Sequence, residues 1–421
     1  MTGSPKRVPI PRNGVDYRGK VVLAPMVRSG ELPMRLLALK YGADLVWGPE
    51  TIDRAMIGTT TRVNPHTSTV EFQRLPSNGQ KNPALNPEQK ASVIYRLDPA
   101  RERGRLVFQL GTASPGTAVE AAALVAPYVA GIDVNAGCPK PFSTAGGMGA
   151  ALLRDPDRLC AILRALVRDV GARFALAVSV KIRLLETAER TERLVRALCA
   201  TGIAGLSVHC RTTPMRPREP AIRDQLRIIA AVCREAGVAC VMNGDVTGRD
   251  EAEKLVEEYG VDGAMIATAA EKNPSVFRAE KDGGQAHWKE VVREYMRFAL
   301  EVDNRWANTK FSLGQLMPGK SDECKALPKC KGYTEIVEVL GLEEELGERA
   351  AEVDKRMGLG PGKGESRAQK RARAREWREE HGEQSLKKPK VPEPSKEASG
   401  ISSEAIEHMP AAPPSASAVS V

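Results

Sequence analysis

The chain has 421 residues, 42% hydrophobic but only 4% aromatic, so it can build a substantial core made of Leu, Val, Ile and Ala rather than rings. That composition suits a parallel α/β protein better than a β-sandwich. The formal charge of +9 favours a polyanionic partner, nucleic acid ahead of a membrane surface, because Lys and Arg neutralise phosphates and release counterions.

No apolar run reaches the roughly 18 residues needed to cross a bilayer, and Met1 to Gly19 has no hydrophobic segment of the signal-peptide kind. Eight cysteines without a C-x-x-C pair, several inside apolar runs, point to buried thiols in a reducing compartment. The expectation is a soluble intracellular monomer with no membrane association.

Residues 1–17 read as a flexible leader. Apolar runs then recur at Lys20 to Met26, Asp44 to Trp47, Leu106 to Leu110, Ile132 to Asn135, Ala175 to Ile182, Gly205 to His209, Val238 to Asn243 and Gly263 to Ala267. Between them lie helix-length segments: Leu32 to Tyr41, Pro156 to Val170 with Asp155 as its cap, Thr187 to Ala200, Ala221 to Ala236 and Arg249 to Tyr259. Eight strands alternating with helices over residues 18–284 predict a (β/α)8 TIM barrel. An open doubly wound sheet is the competitor, but no G-x-G-x-x-G follows the first strand.

The long gap from Asp53 to Arg105 predicts extra surface structure around Thr59 to Asn86. Residues 285–346 read as a small helical domain, with helices at Trp288 to Val302, Ser312 to Leu316 and Tyr333 to Leu346. Lys310, Lys320, Lys325, Lys329 and Lys331 make its middle basic. Residues 347–421 read as a low-complexity, largely disordered tail, in which 363–390 hold ten basic residues against five acidic ones. Lys387-Lys388-Pro389-Lys390 is a candidate nuclear signal.

In a (β/α)8 enzyme the site lies at the C-terminal strand ends. There stand Pro25 and Met26, Glu50, Gln109, Asn135 and Cys138, Lys181 and Arg183, His209 and Arg211, Asn243 to Asp245, and Ala267 to Ala269. Asn243-Gly244-Asp245 and Ala267-Thr268-Ala269-Ala270 resemble the phosphate site that barrels build after their last two strands, where glycine lets amides approach an oxyanion. Lys181, inside an apolar strand, needs an anionic partner at the strand end, and a flavin is one such partner. The Cys138 thiol could serve as a general acid, or as a nucleophile given a base or cation such as His209 or Lys181. No usual metal-ligand spacing occurs, so no metal is expected.

Val22-Leu23-Ala24-Pro25-Met26-Val27-Arg28, Asp133-Val134-Asn135-Ala136-Gly137-Cys138-Pro139, Val180-Lys181-Ile182-Arg183, Val208-His209-Cys210-Arg211 and Asn243-Gly244-Asp245 together resemble the tRNA-dihydrouridine synthases. Leu32 to Leu39, Asp44 to Val46, Pro49-Glu50 and Lys140 to Ala151 resemble the eukaryotic position-20 branch. The resemblance covers roughly residues 18–340. It implies FMN bound by Pro25, Met26, Gln109, Lys181, His209, Asn243, Gly244, Asp245, Ala267 and Thr268, with NADPH or NADH as reductant. It implies a tRNA substrate held partly by the helical domain, hydride transfer to C6 of a flipped-out uracil, and Cys138 as the acid that protonates C5. Asn135, Arg183 and Arg211 are the expected substrate-binding residues. Thr268 stands where relatives often carry Arg. Cytoplasmic action is expected. The competing functions are a flavin dehydrogenase of a small pyrimidine-like substrate and an RNA-binding protein that has lost catalysis.

Overall fold

The computed structural model describes residues 7–74 and 91–359. All eight anticipated runs form the barrel: β1 (Lys20–Leu23), β2 (Leu45–Trp47), β7 (Leu106–Gly111), β8 (Gly131–Ala136), β9 (Ala177–Leu184), β10 (Gly205–Thr212), β11 (Ala239–Asn243) and β12 (Gly263–Ile266). Every barrel pairing is parallel, and the ring closes where Val46 and Trp47 of β2 meet Leu106 and Val107 of β7. The outward faces pack on surrounding helices through residues such as Ile132, Val178, Leu206 and Ile229, the two-sided burial that near-continuous apolar strands require.

The leader is corrected in its described part. Val15 and Tyr17 are buried in the floor of the barrel, and the Tyr17 ring lies 5.8 Å from that of Trp47. The strands begin with small residues, which leaves room for that ring: a Cβ on Gly205 would stand 2.5 Å from Tyr17 Cδ2. Residues 7–17 therefore close the bottom of the barrel.

The insertion after β2 adds a two-residue strand, β3 (Thr51–Ile52), on β7. It also carries an antiparallel sheet of β4 (Thr60–Val63), β5 (Val70–Arg74) and β6 (Ser92–Leu97), the last lying past the anticipated Asn86. Phe72 and Tyr95 fasten this sheet to the barrel, Tyr95 edge-on to Phe108 at 4.9 Å. Beneath it the buried pair Arg35–Glu102 closes at 2.6 Å.

Asp155 caps the helix Pro156–Leu166 by accepting from the Arg158 amide, and Thr187 caps Ala188–Cys199 in the same way. The helix anticipated from Ala221 begins only at Leu226. Residues before it are held by hydrogen bonds to the strand ends, the Ala221 amide donating to Asp245 Oδ2 and the Ile222 amide to the Cys210 carbonyl.

Past the barrel, helices Trp288–Glu301, Trp306–Leu316, Tyr333–Leu340 and Glu343–Met357 share one core around Tyr295, Leu313, Tyr333 and Ile336. The boundary at 346 is corrected. Gly341, at φ 66°, ends one helix, and the next continues to Met357 with Ala350 and Val353 buried in the same core. The interruption is glycine chemistry, while the continuation follows an apolar stripe that the surrounding charge obscures. Met34, Leu37 and Tyr41 of the helix Leu32–Lys40 join that core and so dock the helical region on the barrel. Among the described residues no helix is long and apolar enough to cross a membrane. The basic stretch 363–390, with its candidate nuclear signal, lies outside the described residues.

Candidate active site

Parallel register sets neighbouring strand ends side by side, Gln109 against Asp133, Asn135 against Lys181, and His209 between Arg183 and Asn243. A hydrogen-bonded chain crosses the first of these strands. Buried Asp133 accepts from Ser179 Oγ at 2.7 Å and from Gln109 Nε2 at 2.8 Å. Gln109 Oε1 then accepts from Asn135 Nδ2 at 3.0 Å. Asn135 Oδ1 in turn accepts the Gly137 and Cys138 amides at 3.0 and 2.9 Å. The carboxylate, an acceptor only, fixes the direction of both amides, and the last of them holds the loop that carries Cys138. Burial raises the Asp133 carboxyl to about 6.

Cys138 is half-buried beside Glu50 and Ser143. Ser143 Oγ donates to Glu50 Oε1 at 2.9 Å, whereas Glu50 Oε2 is buried with no hydrogen-bond partner among the described residues. Burial, then the neighbouring Glu50, pushes the Cys138 thiol up, and burial pushes Glu50 up as well. Both groups are thereby biased toward their protonated forms.

The other side of the mouth is cationic. Lys181 Nζ donates to Asn243 Oδ1 at 3.0 Å, and burial followed by Arg183 pulls its ammonium down to about 8. Arg183 is buried, donating to the Gly137 and Thr212 carbonyls at 2.8 and 3.0 Å, so it clamps the Cys138 loop to β10. Burial and then Lys181 drive His209 down to about 2, leaving a neutral imidazole. Its Nε2 faces Arg211 Nη1 at 3.2 Å, which places the imidazole proton on Nδ1.

Arg211 is 4% exposed and donates to the Glu219 and Pro217 carbonyls and to Asp245 at 2.6 Å. Asp245 is braced likewise, by Arg211 and the Ala221 amide. Partial burial opposes ionisation there, yet these two bonds hold its carboxyl below its ordinary value. The two side chains, expected to face substrate and cofactor, thus stitch the strand-end loops together. Gly244 sits at φ 128°, where a Cβ would stand 3.2 Å from that of Ala221. Arg223 donates to the Gly244 and Asp245 carbonyls, and its Nε is buried without a partner among the described residues.

Pro25 and Met26 leave β1, Ala267 and Thr268 leave β12, and the two strands pair through Leu23 and Ile266. Thr268 is exposed and opens a five-residue helix. These residues fit a flavin mononucleotide. Lys181 offers a half-buried cation with spare N–H donors, Gly244 a backbone cradle, and Arg223 an unspent donor beside the phosphate-type loop.

The dihydrouridine synthase family model matches residues 22–338. The chain belongs to the dihydrouridine synthase family. It is 51% identical over 308 residues to a tRNA-dihydrouridine(20) synthase [NAD(P)+] of Schizosaccharomyces pombe, covering 72% of this chain and 61% of that relative. It is 44% identical over 333 residues to the Saccharomyces cerevisiae protein of that name, covering 77% and 84%. A tRNA-dihydrouridine(20a/20b) synthase [NAD(P)+] of S. cerevisiae is 27% identical over 266 residues, covering 63% and 64%. This chain thus spans about three fifths of the length of the S. pombe relative.

The family match takes in the barrel and most of the helical region. Within that frame, sequence reasoning assigned no role to Glu50, Ser143, Asp133 or Arg223. Glu50 was visible as a strand-end carboxylate. Ser143 lies inside the glycine-rich run after Cys138, but nothing local shows that its hydroxyl reaches a residue 93 positions away.

Proposed function

We propose that this protein is an FMN-dependent tRNA-dihydrouridine synthase. It reduces the C5–C6 double bond of a D-loop uridine, at position 20, at the expense of NADPH or NADH, and acts as a monomer in the cytoplasm. The observation that carries the reading is the division of one barrel mouth into a protonated thiol beside a carboxyl and a bank of cations opposite. It joins the 51% identity to a synthase of that specificity.

The bound flavin would supply hydride. Lys181, Asn243, the Gly244 loop and the Ala267–Thr268 turn would hold it, the lysine against the negative edge of the ring and the backbone amides at the phosphate. Gln109, expected among the flavin ligands, works through Asp133 and Asn135 to set the Cys138 loop. Cys138 donates a proton to C5, and burial keeps its thiol protonated until that moment. Arg183 steadies the loop through the Gly137 carbonyl, close to where the base must lie. A uracil can enter such a site only when flipped from its stack, which costs a few kcal/mol and is easiest in a loop. The basic helical region then grips the tRNA backbone.

The test is the visible spectrum of the purified protein, followed by NADPH-dependent dihydrouridine formation in unmodified tRNA and in free uridine. Cys138→Ala should keep its flavin and the reduction of that flavin while losing about 100-fold or more in uridine reduction. A colourless protein, turnover of free uridine in preference to tRNA, or full activity in Cys138→Ala would each overturn the reading.

A further inference from the structure

We propose that Glu50 is the positioning residue of the Cys138 thiol and the group that returns its proton between turnovers. This rests on the reading of Cys138 as the donor to C5. Glu50 follows β2 across the barrel mouth from the cations, and Ser143 lies on the turn Pro141–Thr144 just after Cys138. The serine, fully buried, donates to Glu50 Oε1, which fixes that oxygen as an acceptor and leaves Oε2 as the one able to carry the proton that burial favours. The acid proton then belongs on Oε2, the buried oxygen with no hydrogen-bond partner among the described residues, which is the one left for the thiol.

Two glycines clear the space in which these groups meet. A Cβ on Gly149 would stand 2.5 Å from Ser143 Oγ and 3.2 Å from Cys138 Cβ, and a Cβ on Gly111 would stand 2.8 Å from Glu50 Oε1. The cluster is therefore closely packed around the half-buried thiol. The groups facing the thiol are Glu50 and neutral Ser143 on one side, Lys181 and Arg183 on the other. Those facing Glu50 are Ser143 and Cys138.

The proton count closes. The bound flavin would supply the hydride that becomes C6–H. The Cys138 S–H bond breaks as C5–H forms, and a thiolate remains. The Glu50 O–H bond then breaks as S–H re-forms, and the carboxylate recovers a proton from water once the product leaves. A thiol with an ordinary pKa near 8.5 is a far weaker acid than a carboxyl near 4.3, so this transfer runs downhill.

The experiment uses the flavin-loaded protein, NADPH and unmodified tRNA. Glu50→Gln keeps the shape and removes the acid. In rapid mixing of the pre-reduced variant with tRNA, later turnovers should slow by about 10-fold or more relative to the first. Flavin reduction by NADPH is followed separately to exclude that half-reaction. In protein free of tRNA, peptide-resolved alkylation of Cys138 by iodoacetamide should move to lower pH in Glu50→Gln, because the ionised carboxylate that opposes the thiolate is gone. Ser143→Ala, which leaves the acid but releases it, should slow later turnovers by less, and because its hydroxyl favours the thiolate it should move alkylation to higher pH, opposite to Glu50→Gln; that pair of outcomes decides the matter if Glu50→Gln does not fold. Equal slowing of first and later turnovers, or an unshifted alkylation profile, would overturn the proposal. A failure of the donor reading is seen separately, as full uridine reduction in Cys138→Ala.

Discussion

The two halves of the barrel mouth differ in sign and in how each deals with burial. On the side of β2, β7 and β8 stand acids, Asp133, Glu50 and the Cys138 thiol, and all three are pushed upward. On the side of β9 and β10 stand Lys181, Arg183 and His209, and all three are pushed downward. Burial comes first in each case, so both halves are driven toward neutrality. A mouth prepared in this way keeps protons on its acids and has an unmet demand for an anion opposite its cations. The acid half is tied internally through serine and amide side chains, with Glu50 Oε2 the atom left over among the described residues. The cationic half is complete only when an anion arrives.

Lys181→Met is the most direct attack on that difference. Removing the cation should cost flavin retention at least 10-fold, read as visible absorbance of the purified protein. The same substitution should stabilise the flavin-free protein by roughly 1–3 kcal/mol, because a half-buried ammonium with a lowered pKa opposes folding. The sign is definite. The folded lysine near 8 binds fewer protons than the unfolded one between about 8 and its ordinary 10.5. Wild-type stability therefore rises with pH across that window, and in Lys181→Met this rise should be absent. Weaker flavin binding together with a less stable apoprotein would mean that the lysine is a structural member of the barrel.

On the acid half, Gly149→Ala should produce the largest loss of stability. The residue sits at φ 57°, and its new Cβ would stand 2.6 Å from the Cys138 carbonyl oxygen. Left-handed strain and overpacking together should destabilise by about 2–4 kcal/mol in urea titration. If the halves are separate, the fraction of folded protein should still bind flavin.

The sequence revealed the barrel because period and length speak clearly in a parallel sheet, and every anticipated strand exists with its polar residue at the expected end. It placed Cys138, Lys181 and His209 at or just past strand ends for the same reason. It failed where a side chain's partner is remote. Arg211 looked like a substrate ligand until its donors were seen to be taken by Glu219, Pro217, His209 and Asp245. Tyr17 looked like part of a flexible leader because only the folded barrel offers a floor of small residues for its ring. The end of the helical region was misplaced because charge dominates residues 343–357, while two small apolar residues, Ala350 and Val353, anchor them.

A smaller effect separates the halves by pH. Native His209 stays neutral down to about 2, whereas an unfolded imidazole takes up a proton near 6.5. The unfolded state thus binds more protons below 6.5, and this group's contribution to stability is lost as pH falls. Asp133, raised to about 6, acts in the opposite sense between 6 and its ordinary range. Only the difference between wild type and His209→Asn isolates the histidine. Between pH 7 and pH 5 in flavin-free protein that difference should change by about 1–2 kcal/mol, the variant losing less.

Ser143→Ala is the smallest change and the sharpest test of separateness. It removes one hydroxyl from a fully buried position and leaves Glu50 Oε1 without its donor. A lost neutral hydrogen bond with an unsatisfied acceptor should cost about 1–2 kcal/mol in urea titration. Among the described residues no hydrogen bond joins Ser143 to Lys181, Asn243 or the Gly244 loop, so flavin absorbance should be unchanged. Parallel loss of flavin would show that Glu50 and the cations respond as one network through Cys138 and Arg183, and the division of the mouth into two halves would have to be withdrawn.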